Sequence, residues 1–201
     1  MDIKAFIFDM DGLLFDSERI VQRSWEIAGD ELGIPHMEDV IYHTLGMNRA
    51  GRNEYFRKYI REDFPFEEFG KLTRDNFWKI VDKEGLPLKK GAKELLAYGK
   101  SQGYKMAVAT SSSREYAMGN LIRAGIDSYF DSVVCGDMVK KAKPDPEIYQ
   151  KACESLGIQP EYCMAFEDAP GGILSAHQAG MHVIMVPDLV QPTQEIRELT
   201  H

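Results

Sequence analysis

Five runs of apolar, β-prone residues punctuate the chain, at 3–8, 104–109, 132–135, 162–166 and 182–186. They are nearly continuous in apolar residues, with no polar alternation. That pattern predicts strands buried on both faces of a parallel sheet. An amphipathic helical stretch precedes each of the last four runs. Ala92, Leu95 and Leu96 repeat at helical spacing in 92–99, as do Ala117, Met118, Leu121 and Ile122 in 114–124. Ile148, Tyr149, Ala152, Cys153 and Leu156 form the stripe of 147–156, and Ile173, Leu174, Ala176 and His177 that of 171–179. Ser112 and Glu115 have the spacing of a capping box with Ser112 as N-cap. Asp145-Pro146 predicts an N-cap followed by proline at the first helical position. Each helical stretch ends at a glycine before an apolar or aromatic residue: Gly103-Tyr104, Gly125-Ile126, Gly157-Ile158 and Gly180-Met181. Repeated strand, helix and glycine units predict an α/β fold with a doubly wound, Rossmann-like parallel sheet.

The first strand breaks the rhythm. From 16 to 85 no strand signal occurs, and the sequence is helical, aromatic and charged. A crossover between parallel strands needs only a dozen or more residues. The stretch 16–85 therefore predicts a helical insertion, a cap leaving from the end of strand one, where ligands bind in open α/β sheets. The core is then 1–15 and 86–201, with Leu86-Pro87-Leu88 as the return hinge.

Charge and composition narrow the classes. The chain has 201 residues, 44% of them hydrophobic, and a net charge of −8. At this length about 70% of the unfolded surface can be buried, so the core needs no disulfide or structural metal. An acidic balance argues against nucleic-acid or membrane-surface binding, both of which need a basic footprint. No apolar run reaches the length of a membrane span, and Asp9 interrupts the only stretch resembling a leader. The three cysteines, Cys135, Cys153 and Cys163, show no C-x-x-C spacing and predict buried thiols in a reducing cytoplasm. One sheet core with an insertion is self-sufficient, which predicts a monomer.

Function in such a sheet gathers at the carboxyl ends of the strands. Strand one ends in Asp9-Met10-Asp11-Gly12, strand two in Thr110-Ser111-Ser112, and strand four in Glu167-Asp168. Lys143 follows strand three. Four carboxylates at one rim, Asp9, Asp11, Glu167 and Asp168, cannot all stay ionised without a compensating cation. Only hard oxygen ligands are on offer, which selects Mg²⁺. Lys143, Thr110 and the backbone N–H groups at the Ser112 helix start complete a phosphate cradle.

The set Asp9-Met10-Asp11-Gly12, Thr110, Lys143-Pro144 and Glu167-Asp168 resembles the four motifs of the haloacid dehalogenase superfamily. It is most similar to the branch with a helical cap after strand one, which includes β-phosphoglucomutase and sugar-phosphate phosphatases. The resemblance implies that Asp9 is a nucleophile forming an aspartyl phosphate and that Asp11 is the general acid and base. It implies Mg²⁺ held by Asp9, Asp168 and the main-chain carbonyl of Asp11, with Glu167 a further ligand. Thr110 and Lys143 match the phosphate-binding hydroxyl and lysine, with Ser111 and Ser112 beside them as substrate-binding residues. In the insertion, Arg49 of Gly46-Met47-Asn48-Arg49 suits a distal phosphate or polyol, and Ser17 retains a small hydroxyl.

Three functions fit these residues: a Mg²⁺-dependent phosphatase of small phosphorylated metabolites, a β-phosphoglucomutase-like isomerase, and a non-catalytic phospho-acceptor module. The insertion and the second acid at Asp11 have no purpose in the last. The resemblance places Val21 where the mutase has a histidine and Thr73 where it has a lysine. Valine can neither relay a proton nor hydrogen-bond a sugar hydroxyl. The phosphatase is therefore the expectation, with a sugar phosphate as its substrate.

Overall fold

The computed structural model describes residues 2–44 and 49–201, and for Arg49 and Ala50 the backbone alone. The chain forms two compact units, Met1–Asp16 with Leu86–His201, and Ser17–Gly85.

The first unit is built on five parallel strands, β1 (Ala5–Phe8), β2 (Lys105–Thr110), β3 (Ser132–Cys135), β4 (Cys163–Glu167) and β5 (His182–Met185), in the order β3-β2-β1-β4-β5. All five apolar runs become strands, with ends shifted by at most two residues. Along β1 successive side chains point to opposite faces. Ala5 and Ile7 join Ala107, Ala109 and Ala165 in a core completed by Ile148, Tyr149, Ala152 and Cys153 of α7 (Glu147–Leu156) and Ile173 and Ala176 of α8 (Pro170–Gln178). Phe6 and Phe8 face the other way. The Phe6 ring stacks on Tyr104 at 4.2 Å and meets Phe166 edge-on at 5.3 Å. Gly99 of α5 (Ala92–Ser101) lies against Phe6 and Met106 on this face, where a side chain would not fit.

Register places the rim. Phe8 is level with Val108 of β2 and Phe166 of β4. The residues that follow, Asp9, Ala109-Thr110 and Glu167-Asp168, therefore leave the sheet side by side. The Asp9 N–H continues the ladder to the Phe166 carbonyl at 3.0 Å.

Two helix starts differ from the sequence pattern. α6 (Arg114–Arg123) is capped by Ser113, whose hydroxyl accepts from the Tyr116 N–H, and not by Ser112. Ser112 is unavailable because its side chain is committed to Asp11. α7 begins at Glu147, one residue after the expected proline, while Asp145 still supplies the capping oxygen to the Glu147 N–H at 3.1 Å. The four predicted terminal glycines, Gly103, Gly125, Gly157 and Gly180, have φ between 66° and 85°. The three cysteines are buried and free.

The division between units falls after Asp16, one residue later than the sequence pattern predicts. The Asp16 N–H donates to the Pro87 carbonyl and the Lys89 N–H to the Leu14 carbonyl, each at 2.9 Å. The Lys89 ammonium pairs with Asp188 at 2.7 Å and with Asp16 at 3.2 Å.

The second unit contains α1 (Ser17–Glu31), α2 (Met37–Thr44), α3 (Arg49–Tyr59) and α4 (Phe66–Glu84). It has its own core of Trp25, Ala28, Met37, Ile41, Phe56, Phe64 and Phe69. The Trp25 ring meets Phe56 and Phe69 edge-on at 5.7 and 5.4 Å. Among the described residues no helix is long and apolar enough to cross a membrane.

Phe6→Ala removes a ring held by aromatic neighbours in the middle of the sheet. It should cost about 3–5 kcal/mol in chemical denaturation; a loss below about 1 kcal/mol would show that this face is not a packed core.

Candidate active site

At the carboxyl end of β1 the Asp9 side chain is buried beside Lys143. The Lys143 ammonium donates to Asp9 Oδ1 at 2.6 Å, to Glu167 Oε1 at 2.6 Å and to the Ala109 carbonyl at 3.0 Å. Those acceptors use the three protons that an ammonium carries. Tyr149, on the apolar face of α7, reaches the same point: its hydroxyl donates to Glu167 Oε1 at 2.6 Å, and Lys143 Nζ lies 4.9 Å from its ring centre. Glu167 is 1% exposed, and its Oε2 accepts from the Asp168 N–H at 3.2 Å.

Burial dominates the electrostatics. It pushes the Asp9 carboxyl up to about 7, against the pull of Lys143, and the Glu167 charge adds to the rise. Burial alone would lower the Lys143 ammonium, but Asp9 and Glu167 together raise it above the usual lysine range. The same buried, negative surroundings raise the Tyr149 phenol. Tyr149 therefore acts here as a neutral donor.

Asp9, Glu167 and Asp168 each offer a carboxylate oxygen, all within 4.8 Å of one another. One ammonium does not balance three carboxylates. An excess of negative charge on hard oxygen donors, with no thiol or imidazole in the cluster, fits Mg²⁺. Gly12, at φ 82°, leaves the Asp168 carboxylate the space that a Cβ would fill. Only glycine adopts this conformation readily and permits so close an approach.

The sequence led us to expect the Asp11 side chain among these acids, but the carboxylate cluster is Asp9, Glu167 and Asp168. The Asp11 side chain turns toward α6, where Ser112 Oγ donates to its Oδ2 at 2.7 Å and the Tyr116 hydroxyl to its Oδ1 at 3.1 Å. Thr110 is buried, and its Oγ1 accepts from the Ser112 N–H at 3.1 Å. Ser111 is exposed, with its carbonyl against Gly136. Ser17 is buried at the start of α1. Gly46-Met47-Asn48 and the Arg49 side chain lie outside the described residues.

Tyr116 and Tyr149 were not singled out for chemistry from sequence. Tyr149 counted as one of the apolar stripe of its helix, which its ring is. The available signal was a phenol tip in a fully buried position, since such a hydroxyl must find a partner.

The profile of the haloacid dehalogenase-like hydrolases matches residues 6–186. The phosphorylated carbohydrates phosphatase of Thermotoga maritima is 34% identical, over 90% of this chain and 84% of its own length. Hexitol phosphatase A of Escherichia coli is 33% identical, over 92% and 84%. Among solved structures, a haloacid dehalogenase family hydrolase from Deinococcus radiodurans with bound phosphate and sodium has a TM-score of 0.83 at 25% identity, covering 98% of this chain and 88% of that one. The β-phosphoglucomutase of Clostridium difficile shares the fold, with a TM-score of 0.69 at 24% identity over 98% and 88%.

The loop that carries Lys143 is itself fastened. Glu147 accepts from the Lys140 N–H at 3.0 Å and the Lys141 N–H at 2.9 Å, and pairs with Lys151 at 3.0 Å. These contacts, the Lys140 N–H first, pull its carboxyl down to about 2. Its contribution to stability is full above the ordinary glutamate value of about 4.3 and is lost as pH falls toward the folded value. Glu147→Gln should melt below the wild type at pH 6, with the gap closing by about pH 2. A gap independent of pH would show that the charge is not what fastens the loop.

Proposed function

Because the chain belongs to the haloacid dehalogenase-like hydrolases, we propose that it is a Mg²⁺-dependent phosphatase of small phosphorylated carbohydrates, acting through an aspartyl phosphate on Asp9. The chain is a phosphoric monoester hydrolase; the finer reading rests on its own residues. The observation that carries it is the Asp9 carboxylate, buried against the Lys143 ammonium with Glu167 and Asp168 beside it and a second acid two positions on.

In the first half-reaction an Asp9 oxygen attacks phosphorus, the ester P–O bond breaks, and Asp11 gives its proton to the leaving sugar oxygen. In the second, Asp11 takes a proton from water. The water oxygen bonds to phosphorus, and the bond between phosphorus and the Asp9 oxygen breaks. Lys143 stays protonated throughout and offsets charge on the phosphoryl group and on Asp9. Thr110 and the N–H groups at the start of α6 bind phosphate oxygens. Asp9, Asp168, Glu167 and the Asp11 carbonyl would hold Mg²⁺, which when bound supplies further neutralisation of the transferring group.

A mutase would pass the phosphoryl group to a second sugar hydroxyl in place of water. The shared fold admits that reading. Val21 opposes it: this side chain packs against the apolar core of the helical unit and offers no proton.

The test is a panel of sugar and polyol phosphates with and without Mg²⁺, following both free phosphate and isomeric esters. Phosphate release should need Mg²⁺ and fall on the order of 10⁴-fold or more in Asp9→Asn. Wild-type turnover in folded Asp9→Asn would overturn the nucleophile, and isomer without free phosphate would make the protein a mutase.

A further inference from the structure

We propose that Tyr116 is a positioning residue for Asp11, fixing the plane of the carboxyl group that protonates the leaving sugar oxygen. This inference rests on the acid–base reading of Asp11 given above.

Asp11 receives two hydroxyl donors, one on each oxygen: Ser112 on Oδ2 at 2.7 Å and Tyr116 on Oδ1 at 3.1 Å. One donor would leave the carboxylate free to turn about its Cβ–Cγ bond, a broad torsion with little preference of its own. A second donor on the other oxygen fixes the plane. The two donors also differ in stiffness. The serine hydroxyl sits on a single rotor. The phenol is the end of a rigid ring with two side-chain torsions, so it delivers its O–H along a fixed line at low entropic cost.

The backbone beneath both donors is held as well. The Ser112 N–H is bonded to Thr110 Oγ1, and the Tyr116 N–H to the Ser113 hydroxyl that caps α6. Cap, strand end and phenol thus make a frame anchored at β2 and the first turn of α6. The phenol itself meets the chemistry through Asp11. The shift of the cap from Ser112 to Ser113 belongs to the same arrangement: it frees Ser112 for Asp11 and places Tyr116 on the first turn.

General acid catalysis depends on where the acidic oxygen sits relative to the leaving group. A misoriented acid should matter for an ester whose alkoxide needs a proton and matter far less for one whose phenolate leaves without it. That difference separates a positioning role from a general loss of structure, which would slow both.

The experiment compares kcat/KM for p-nitrophenyl phosphate and for whichever hexitol phosphate the wild type hydrolyses fastest. This constant reports on the steps through phosphorylation of Asp9, before water is used. It is measured with Mg²⁺ in the wild type, Tyr116→Phe and Asp11→Asn. Tyr116→Phe should lower the alkyl constant about tenfold or more relative to the aryl constant, with KM for the hexitol phosphate within about twofold. Asp11→Asn should show the same selectivity more strongly, by about 10²-fold or more. Equal losses on both esters in Tyr116→Phe, or no loss, while Asp11→Asn retains the selectivity, would overturn the role of Tyr116 and leave the acid reading standing. Absence of selectivity in Asp11→Asn would overturn the acid reading, and this inference with it.

Discussion

A buried ammonium between two buried carboxylates is the constraint around which the sheet unit is arranged. Taking each of these ions out of water costs several kcal/mol, recovered only when partner and geometry are both good. Lys143 meets that condition by spending all three protons on Asp9, Glu167 and the Ala109 carbonyl. Those acceptors come from three adjacent strands, β1, β4 and β2, so one side chain ties the rim together. The environment needed for folding is then also the one needed for phosphoryl chemistry: dry, positively charged at one point and acidic around it.

The parallel register delivers these groups to one place. Every strand runs the same way, so every strand end opens on the same edge, and no residue of the cluster has to be carried there by a long loop except Lys143. That exception is why the segment from Lys140 to Glu147 is so heavily bonded to itself. A lysine on a slack loop would leave Asp9 and Glu167 facing each other with no cation between them.

Much of this was legible in the sequence, for a physical reason. Asp9, Thr110 and Glu167-Asp168 directly follow apolar runs, and a parallel sheet turns that position in the chain into position in space. Lys143 was legible through its motif. What escaped notice depends on side-chain direction, which hydropathy does not encode. Asp11 points toward α6 because two hydroxyls wait there, and neither spacing nor composition announces that. Tyr149 was legible as core, and Tyr116 not at all, because a phenol reads as apolar by its ring and acts by its tip. The cap of α6 was misplaced by one residue through the same blindness: the spacing to Glu115 favours Ser112, and only the bond to Asp11 takes that hydroxyl away. The side chain of Arg49, assigned to substrate from sequence, lies outside the described residues and is not placed.

The hydrogen bond from Asp16 to Pro87 has a consequence for how such a chain can change over time. A seventy-residue excursion departs and returns at a single paired point, so from the sheet's side it is one loop whose closure cost grows only with the logarithm of its length. The helical unit carries its own core. Its contents can drift, lengthen or be exchanged while the ends stay pinned, and the acids, the lysine and the glycine at the rim need not be renegotiated. One reaction centre can in this way be inherited unchanged by many descendants, each fitted with a different excursion.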